Sequence, residues 1–201
     1  MWKAKRASPG ARPKAKGLTA FSLAVLLVTI SIASLSLNGQ SNGMNEYEVK
    51  AAFLFHFAQF VEWPVETFKD SDTPLTYCTV GEDVFRGALE ESVMGKRVNN
   101  RPLRVAHLRE REPIDGCQVL FIAGAPKGRR ADELAIAKGH AVLTVGETEY
   151  FARDGGIIGF LLEENKVRFE INLNAAHKAQ LKVSARLLAL AKTVLGSQRG
   201  D

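Results

Sequence analysis

Residues 117–124 read CQVLFIAG, and this run decides the fold. From Val119 to Ala123 it is apolar without a break, and it stops at Gly124. A strand with one wet face alternates apolar and polar residues. A strand that stays apolar throughout is buried on both faces, as at the centre of a parallel sheet covered by helices.

Working outward, AVLTVG (141–146) repeats the signature: a short apolar run closed by glycine. LTYCTV (75–80), followed by Gly81, and PLRVAHL (102–108) read as further strands. Helical patterns lie between them. In EDVFRGALEESV (82–93), Val84, Leu89 and Val93 turn inward and Gly95 is placed to cap the C-terminus. Arg129–Lys138 is a second short helix, closed by Gly139. Strands that alternate with helices define an α/β fold with a mostly parallel central sheet flanked by helices.

The pattern changes toward the C-terminus. IIGFLLEENKVRFEINL (157–173) predicts two strands around a Glu164-Asn165-Lys166 turn, an antiparallel hairpin at one edge. Asn174 is then expected to cap a long C-terminal helix over Ala175–Leu195, its apolar side marked by Leu181, Ala185, Leu188 and Leu195 and its end by Gly196. Lys178, Lys182 and Arg186 recur every fourth residue as a basic stripe, either a solvated face or a partner contact.

Before the first strand, VKAAFLFHFAQFVEWP (49–64) predicts a helix from about Glu46 to Val61, stopping ahead of Trp63-Pro64. Val49, Phe53, Phe57 and Phe60 fall within an arc of about 80° and are expected to face the core. Lys50, His56 and Glu62 exclude a membrane span here. Phe55 projects on the polar side with Gln59 and Glu62, and with the neighbouring Trp63 it makes a candidate interface.

Charge separates the ends of the chain. The sequence carries 27 basic and 22 acidic residues, yet six of the basic ones (Lys3, Lys5, Arg6, Arg12, Lys14, Lys16) lie in residues 1–39, which hold no acid. The remainder has 21 basic against 22 acidic residues, a charge of −1, and shows no basic patch with interleaved aromatics, which argues against nucleic-acid binding. The uncharged run LTAFSLAVLLVTISIASLSL (18–37) after that basic stretch is the pattern of an export signal, cleaved after Ala33 or Ser36, or of an uncleaved anchor. Either sends the remainder of the chain to the periplasm. The expected organisation is a signal over 1–39, a linker over 40–45, one α/β domain over 46–196 and a disordered tail over 197–201. In an oxidising compartment Cys78 and Cys117, the sole cysteines, form a disulfide or stay as two buried thiols.

No catalytic constellation, cofactor fingerprint or metal-ligand spacing stands out. His56, His107, His140 and His177 are scattered and read as surface or structural histidines. Glu90-Glu91 and Glu163-Glu164 read as solvated pairs. Gly124–Gly128 reads as a strand-to-helix turn rather than a phosphate loop, and Gly155-Gly156 as a turn. On the second hairpin strand, alternation puts Arg168, Glu170 and Asn172 on one face, a polar row expected to be exposed and a candidate partner-reading surface. Glu170 is the ambiguous member, able to point inward.

VKAAFLFHFAQFVEWP, LTYCTVGEDVF, GCQVLFI, AVLTVGETEYFARDGGIIGF and VRFEINLNAAHKAQLKVSARLLALA, taken in order, resemble the YfiR-like family of periplasmic proteins across most of residues 47–191. The resemblance implies an α/β fold without catalysis or cofactor. It implies a repressor that holds the periplasmic sensor domain of an inner-membrane diguanylate cyclase inactive, forms dimers, and so controls cyclic di-GMP and biofilm formation. Cys78 and Cys117 match the family's structural disulfide; the second cysteine pair of some members is missing, so redox sensing through it does not carry over. The competing class is a periplasmic small-molecule binding module, with ligands at the loops after Gly81, Gly124 and Gly146, beyond the C-terminal ends of parallel strands.

Overall fold

The computed structural model describes the backbone of residues 41–124 and 127–196 and the side chains of 46–124 and 131–196. The expected signal and tail lie outside the described residues. All the strands belong to the unit of the chain that begins at Gly43.

The three glycine-terminated apolar runs do form the centre of a parallel sheet. Strands β2 (Leu75–Val80), β5 (Val119–Ile122) and β6 (Leu143–Gly146) are buried at every residue. β5 lies between the other two and is parallel to both, with Leu120 opposite Cys78 on one side and Thr144 on the other. On the far side of β2 comes β4 (Arg101–Leu108), also parallel, and then the two-residue antiparallel β3 (Arg97–Val98). Beyond β6 stand β7 (Ile158–Glu163), parallel to it, and β8 (Lys166–Asn172), antiparallel to β7. The hairpin turn is the two residues Glu164 and Asn165, both with positive φ (48° and 59°), the backbone twist that suits a tight hairpin.

The hairpin is not the edge of the sheet, and the long C-terminal helix does not exist. The segment breaks into α4 (Leu173–Lys178), β9 (Lys182–Val183), α5 (Ala185–Leu190) and β10 (Thr193–Leu195). β10 pairs parallel with β8, Val194 opposite Ile171, and takes the edge of an eight-stranded sheet. β9 pairs antiparallel with β1 (Val61–Glu62) in a separate ribbon. Gln180, at φ 58°, turns the chain out of α4, and the Ser184 side chain accepts the Leu187 N–H to start α5. Asn172, not Asn174, caps α4, accepting the Ala175 N–H at 2.9 Å. Lys178, Lys182 and Arg186 therefore sit on three different elements and form no helical stripe.

The sheet carries a core on each face. On one lies α1 (Ser41–Gln59), which starts a turn earlier than expected. Its buried stripe is Ala51, Leu54, Phe57, Ala58 and, just beyond the helix, Val61, each at most 1% exposed. Phe53 and Phe57 meet Phe169 with ring centroids 5.6 and 5.0 Å apart, contacts that add to simple area burial. Val49, expected on the core side, is 38% exposed, because the stripe is centred on Leu54 and Ala58 rather than on Phe53. The short helix α2 (Ala88–Val93) buries Leu89 and Val93 on this same core; it starts only after Gly87, whose φ of 93° cuts off the predicted first turn.

The other face is covered by α3 (Lys127–Ile136), Phe151 and the crossover from β4 to β5, a stretch without a helix that buries Ile114. Cys117 at its end is disulfide-bonded to Cys78 on β2, which settles the choice left by the sequence. Phe151 is clamped: a Cβ on Gly146 would lie 2.4 Å from its ring, and one on Gly156 would lie 2.1 Å away.

Candidate partner-binding surface

The five proposed interface residues fall into two groups at opposite flanks of the sheet. Phe55 and Trp63 lie at the β3–β4 flank. Phe55 is half-buried against the α1 core, with the Lys96 ammonium 4.4 Å from its ring centroid, a cation–π contact at the rim. Trp63 is half-buried too; its indole N–H donates to the Gln118 carbonyl at 3.3 Å. It lines a cavity of about 340 Å³ with Phe68, Leu75, Val98 and Arg101. The Arg101 guanidinium covers the Phe68 ring at 3.8 Å and donates to the Asp70 and Thr73 carbonyls. Lys96 and Val98 stand on either side of Arg97, so the two aromatics reach the same β3 turn from two directions. Helical periodicity gives no sign of Lys96 or Arg101, because a covering cation comes from another element.

Arg168, Glu170 and Asn172 stand on β8, five strand positions from β4 and so about 24 Å away along the sheet. They share a face as alternation requires, but the expected exposed row is not there. Only Arg168 is exposed. Glu170 is 4% exposed, with its carboxylate packed beside Gly159: a Cβ there would stand 3.4 Å from Glu170 Oε1. Asn172 spends both ends of its amide inside the chain, capping α4 and donating to the Ala152 carbonyl at 2.7 Å. Glu170 and Asn172 are covered from the loop after β6, whose Ala152 backbone lies against Gly159 and accepts from Asn172, while β10 adds Thr193 beside Glu170.

Two polar clusters join elements within the chain, that of Lys50 buried and that of His107 at the surface. Lys50, 5% exposed, bridges Glu46 at 2.5 Å and Glu147 at 2.6 Å, and its ammonium lies 4.5 Å from the centroid of the Tyr47 ring. Burial alone would lower the Lys50 pKa, but the hydrogen bonds to Glu147 and Glu46 outweigh it and hold the ammonium above the ordinary lysine value. Burial, and then the Glu147 charge, raise Tyr47. The i,i+4 spacing of Glu46 and Lys50 was the sequence signal for half of this cluster; Glu147 is 97 residues from Lys50 and left none. In the second cluster, His107 on β4 joins Thr79 on β2 through Nδ1 at 2.8 Å to Glu90 on α2 through Nε2 at 2.7 Å. Both ring nitrogens are engaged, as expected of a structural histidine. Buried Tyr77 is the counter-example: its hydroxyl finds no partner among the described residues, and burial pushes its pKa up.

A mixed, mostly parallel sheet with these internal clusters defines an α/β domain whose aromatic flank is only partly covered by its own chain. Residues 47–192 match the family described as YfiR/HmsC-like, and the chain belongs to that family, one of periplasmic regulatory proteins associated with control of a partner. No curated protein matches. Among solved structures, the chain is similar to a conserved domain protein of Vibrio cholerae O1 biovar El Tor N16961, at 10% identity and a TM-score of 0.45, over 59% of this chain and 54% of that one. It is similar also to an ABC domain in complex with L-Trp from Streptococcus pneumonia, at 8% identity and a TM-score of 0.44, over 60% and 55%. The chain thus spans about half the length of either structure, and likenesses this slight carry no functional meaning. Among the described residues no helix is long and apolar enough to cross a membrane.

Proposed function

We propose that this chain is an exported regulator that binds the periplasmic sensor domain of an inner-membrane diguanylate cyclase and holds it inactive. Residues 1–39 direct export, the domain from residue 46 to 196 does the binding, and the active species is a dimer. The observation that carries the reading is the family match over residues 47–192. Repression works by population shift: the regulator binds the inactive sensor more tightly than the active one, and the difference in affinity sets how far the cyclase is silenced.

The half-buried Phe55 and Trp63 are the proposed contact, aromatic groups seated in pockets with a cationic rim, the kind of anchor that dominates interface energies. Arg168 is assigned a peripheral contact at the other flank. The test is deletion of the gene with measurement of cellular cyclic di-GMP, together with capture of membrane proteins by the tagged chain. A rise in cyclic di-GMP and recovery of a cyclase are expected. An unchanged level on deletion rules this partner out.

A further inference from the structure

We propose that the cavity between α3 and α4 is a binding site for a small apolar monoanion, a carboxylate or sulfonate carried on an acyl or aromatic body. The cavity measures about 450 Å³, within the range of small-molecule sites. It opens at the N-terminal end of β6, opposite the loops after Gly81, Gly124 and Gly146 where the sequence placed a ligand.

Its walls explain why it stays open. Leu134 of α3 reaches the cavity, but the other apolar residues that α3 and α4 turn toward it are small, Ala131 on one side and Ala175 on the other, and Ala137 follows just beyond α3. Ile157 and Val142 make an apolar floor, 2% and 3% exposed. Thr144, 4% exposed, is the polar group in that floor. Its oxygen accepts the Ile157 N–H at 3.0 Å, and its own proton has no acceptor among the described residues. The floor therefore offers a donor to an acceptor atom of a ligand.

The rim sets the sign of the charge. Lys138 and Lys178 line the mouth, and neither has an ion-pair partner among the described residues. Asp154, the one acid in the lining, is itself engaged in an interaction of its own. Two ammonium groups without an ion-pair partner among the described residues, set over an apolar slot, suit an anion with a greasy body and disfavour a cation. The site is separate from the proposed cyclase contact, and its test needs no partner protein.

The test is fluorescence titration of the purified full-length chain with 1-anilinonaphthalene-8-sulfonate, followed by displacement with octanoate and with octanol. Saturable binding, displaced by octanoate and not by octanol, is expected. Ala175→Trp fills the slot and abolishes that binding. The double reversal Lys138→Glu with Lys178→Glu, on exposed side chains, weakens it about tenfold. Absence of saturable binding overturns the proposal, as does undiminished binding in folded Ala175→Trp or in the double reversal. Displacement by octanol as readily as by octanoate overturns the anionic assignment. A thermal midpoint shows whether Ala175→Trp is folded; if it is not, the double reversal decides.

Discussion

The Lys50 ammonium stands 2.6 Å from the Glu147 carboxylate, and the two side chains are only 6% and 13% exposed. This contact ties α1 to the loop after β6. Removing Glu147 leaves the buried ammonium with Glu46 as its remaining partner, so Glu147→Ala should cost about 2 kcal/mol in denaturant unfolding, the loss of one charged hydrogen bond. Replacing both, Lys50→Met with Glu147→Met, should cost much less than the two single changes together. The pH dependence has a definite sign. A lysine whose folded pKa is raised contributes its full stability below the ordinary value of 10.5 and loses it as pH rises through the folded pKa. Part of the alkaline loss of stability between those two values is expected to come from Lys50 and should be missing from Lys50→Met, while buried Tyr77 and Tyr47, also raised, supply the remainder in both chains.

The disulfide closes a loop of 39 residues between Cys78 and Cys117. Loop-closure entropy then predicts about 4 kcal/mol of stabilisation, so Cys78→Ser with Cys117→Ser should lower the melting midpoint by about 10 °C. Because the bridge fastens the crossover to the second core and not the α1 face, reduced protein should lose protection from hydrogen exchange first around Ile114. Uniform loss of protection over α1 would contradict this.

Phe151 is held between two glycines that have no room for a methyl group. Gly156→Ala should destabilise by about 2 kcal/mol, and Phe151→Leu in the same chain should recover part of that loss. Additive effects in the thermodynamic cycle would mean that the clamp does not set the packing there.

Asn172 and Arg168 should separate cleanly. Asn172→Ala removes a helix cap and a bond to the Ala152 carbonyl, and should lower stability by about 1–2 kcal/mol. Arg168→Ala should leave the melting midpoint within about 1 °C and alter only partner capture. If Asn172→Ala weakens capture with an unchanged midpoint, the residue belongs to the interface after all.

At the other flank, Phe55→Ala and Trp63→Ala should each reduce partner affinity by about tenfold or more, read by surface binding to the isolated membrane protein. Trp63→Phe keeps the ring and loses the bond to the Gln118 carbonyl, so it should recover most of the affinity if the ring is the anchor.

The sequence was most legible where burial is two-sided. VLFI read as a central strand, and LTVG and LTYCTV as strands, because each is short, rich in apolar and β-branched residues and bounded by glycine. Residues 175–195 misled for the opposite reason. Their leucines and alanines favour a helix, but propensity is a weak prior: pairing of Val183 with Val61 and of Val194 with Ile171 supplies more than one continuous helix would. The same pairing hid the fate of Glu170. A polar row on an edge strand is wet, but here β10 takes the edge and the loop at Ala152 lies over Glu170 and Asn172. The candidate site was legible in its aromatics, which are local to one segment, and not in Lys96, Arg101 or Glu147, which arrive from elsewhere in the fold.

The ribbon of β1 and β9 joins Val61 to Val183 across 122 residues. A polypeptide that emerges N-terminus first must hold Val61 unpaired until almost the whole domain has appeared, and the β8 edge must likewise await Val194. Closure therefore comes last, in one late step, once residue 183 and then residue 194 have joined the folding chain. Such long-range pairing also makes folding slow once it begins.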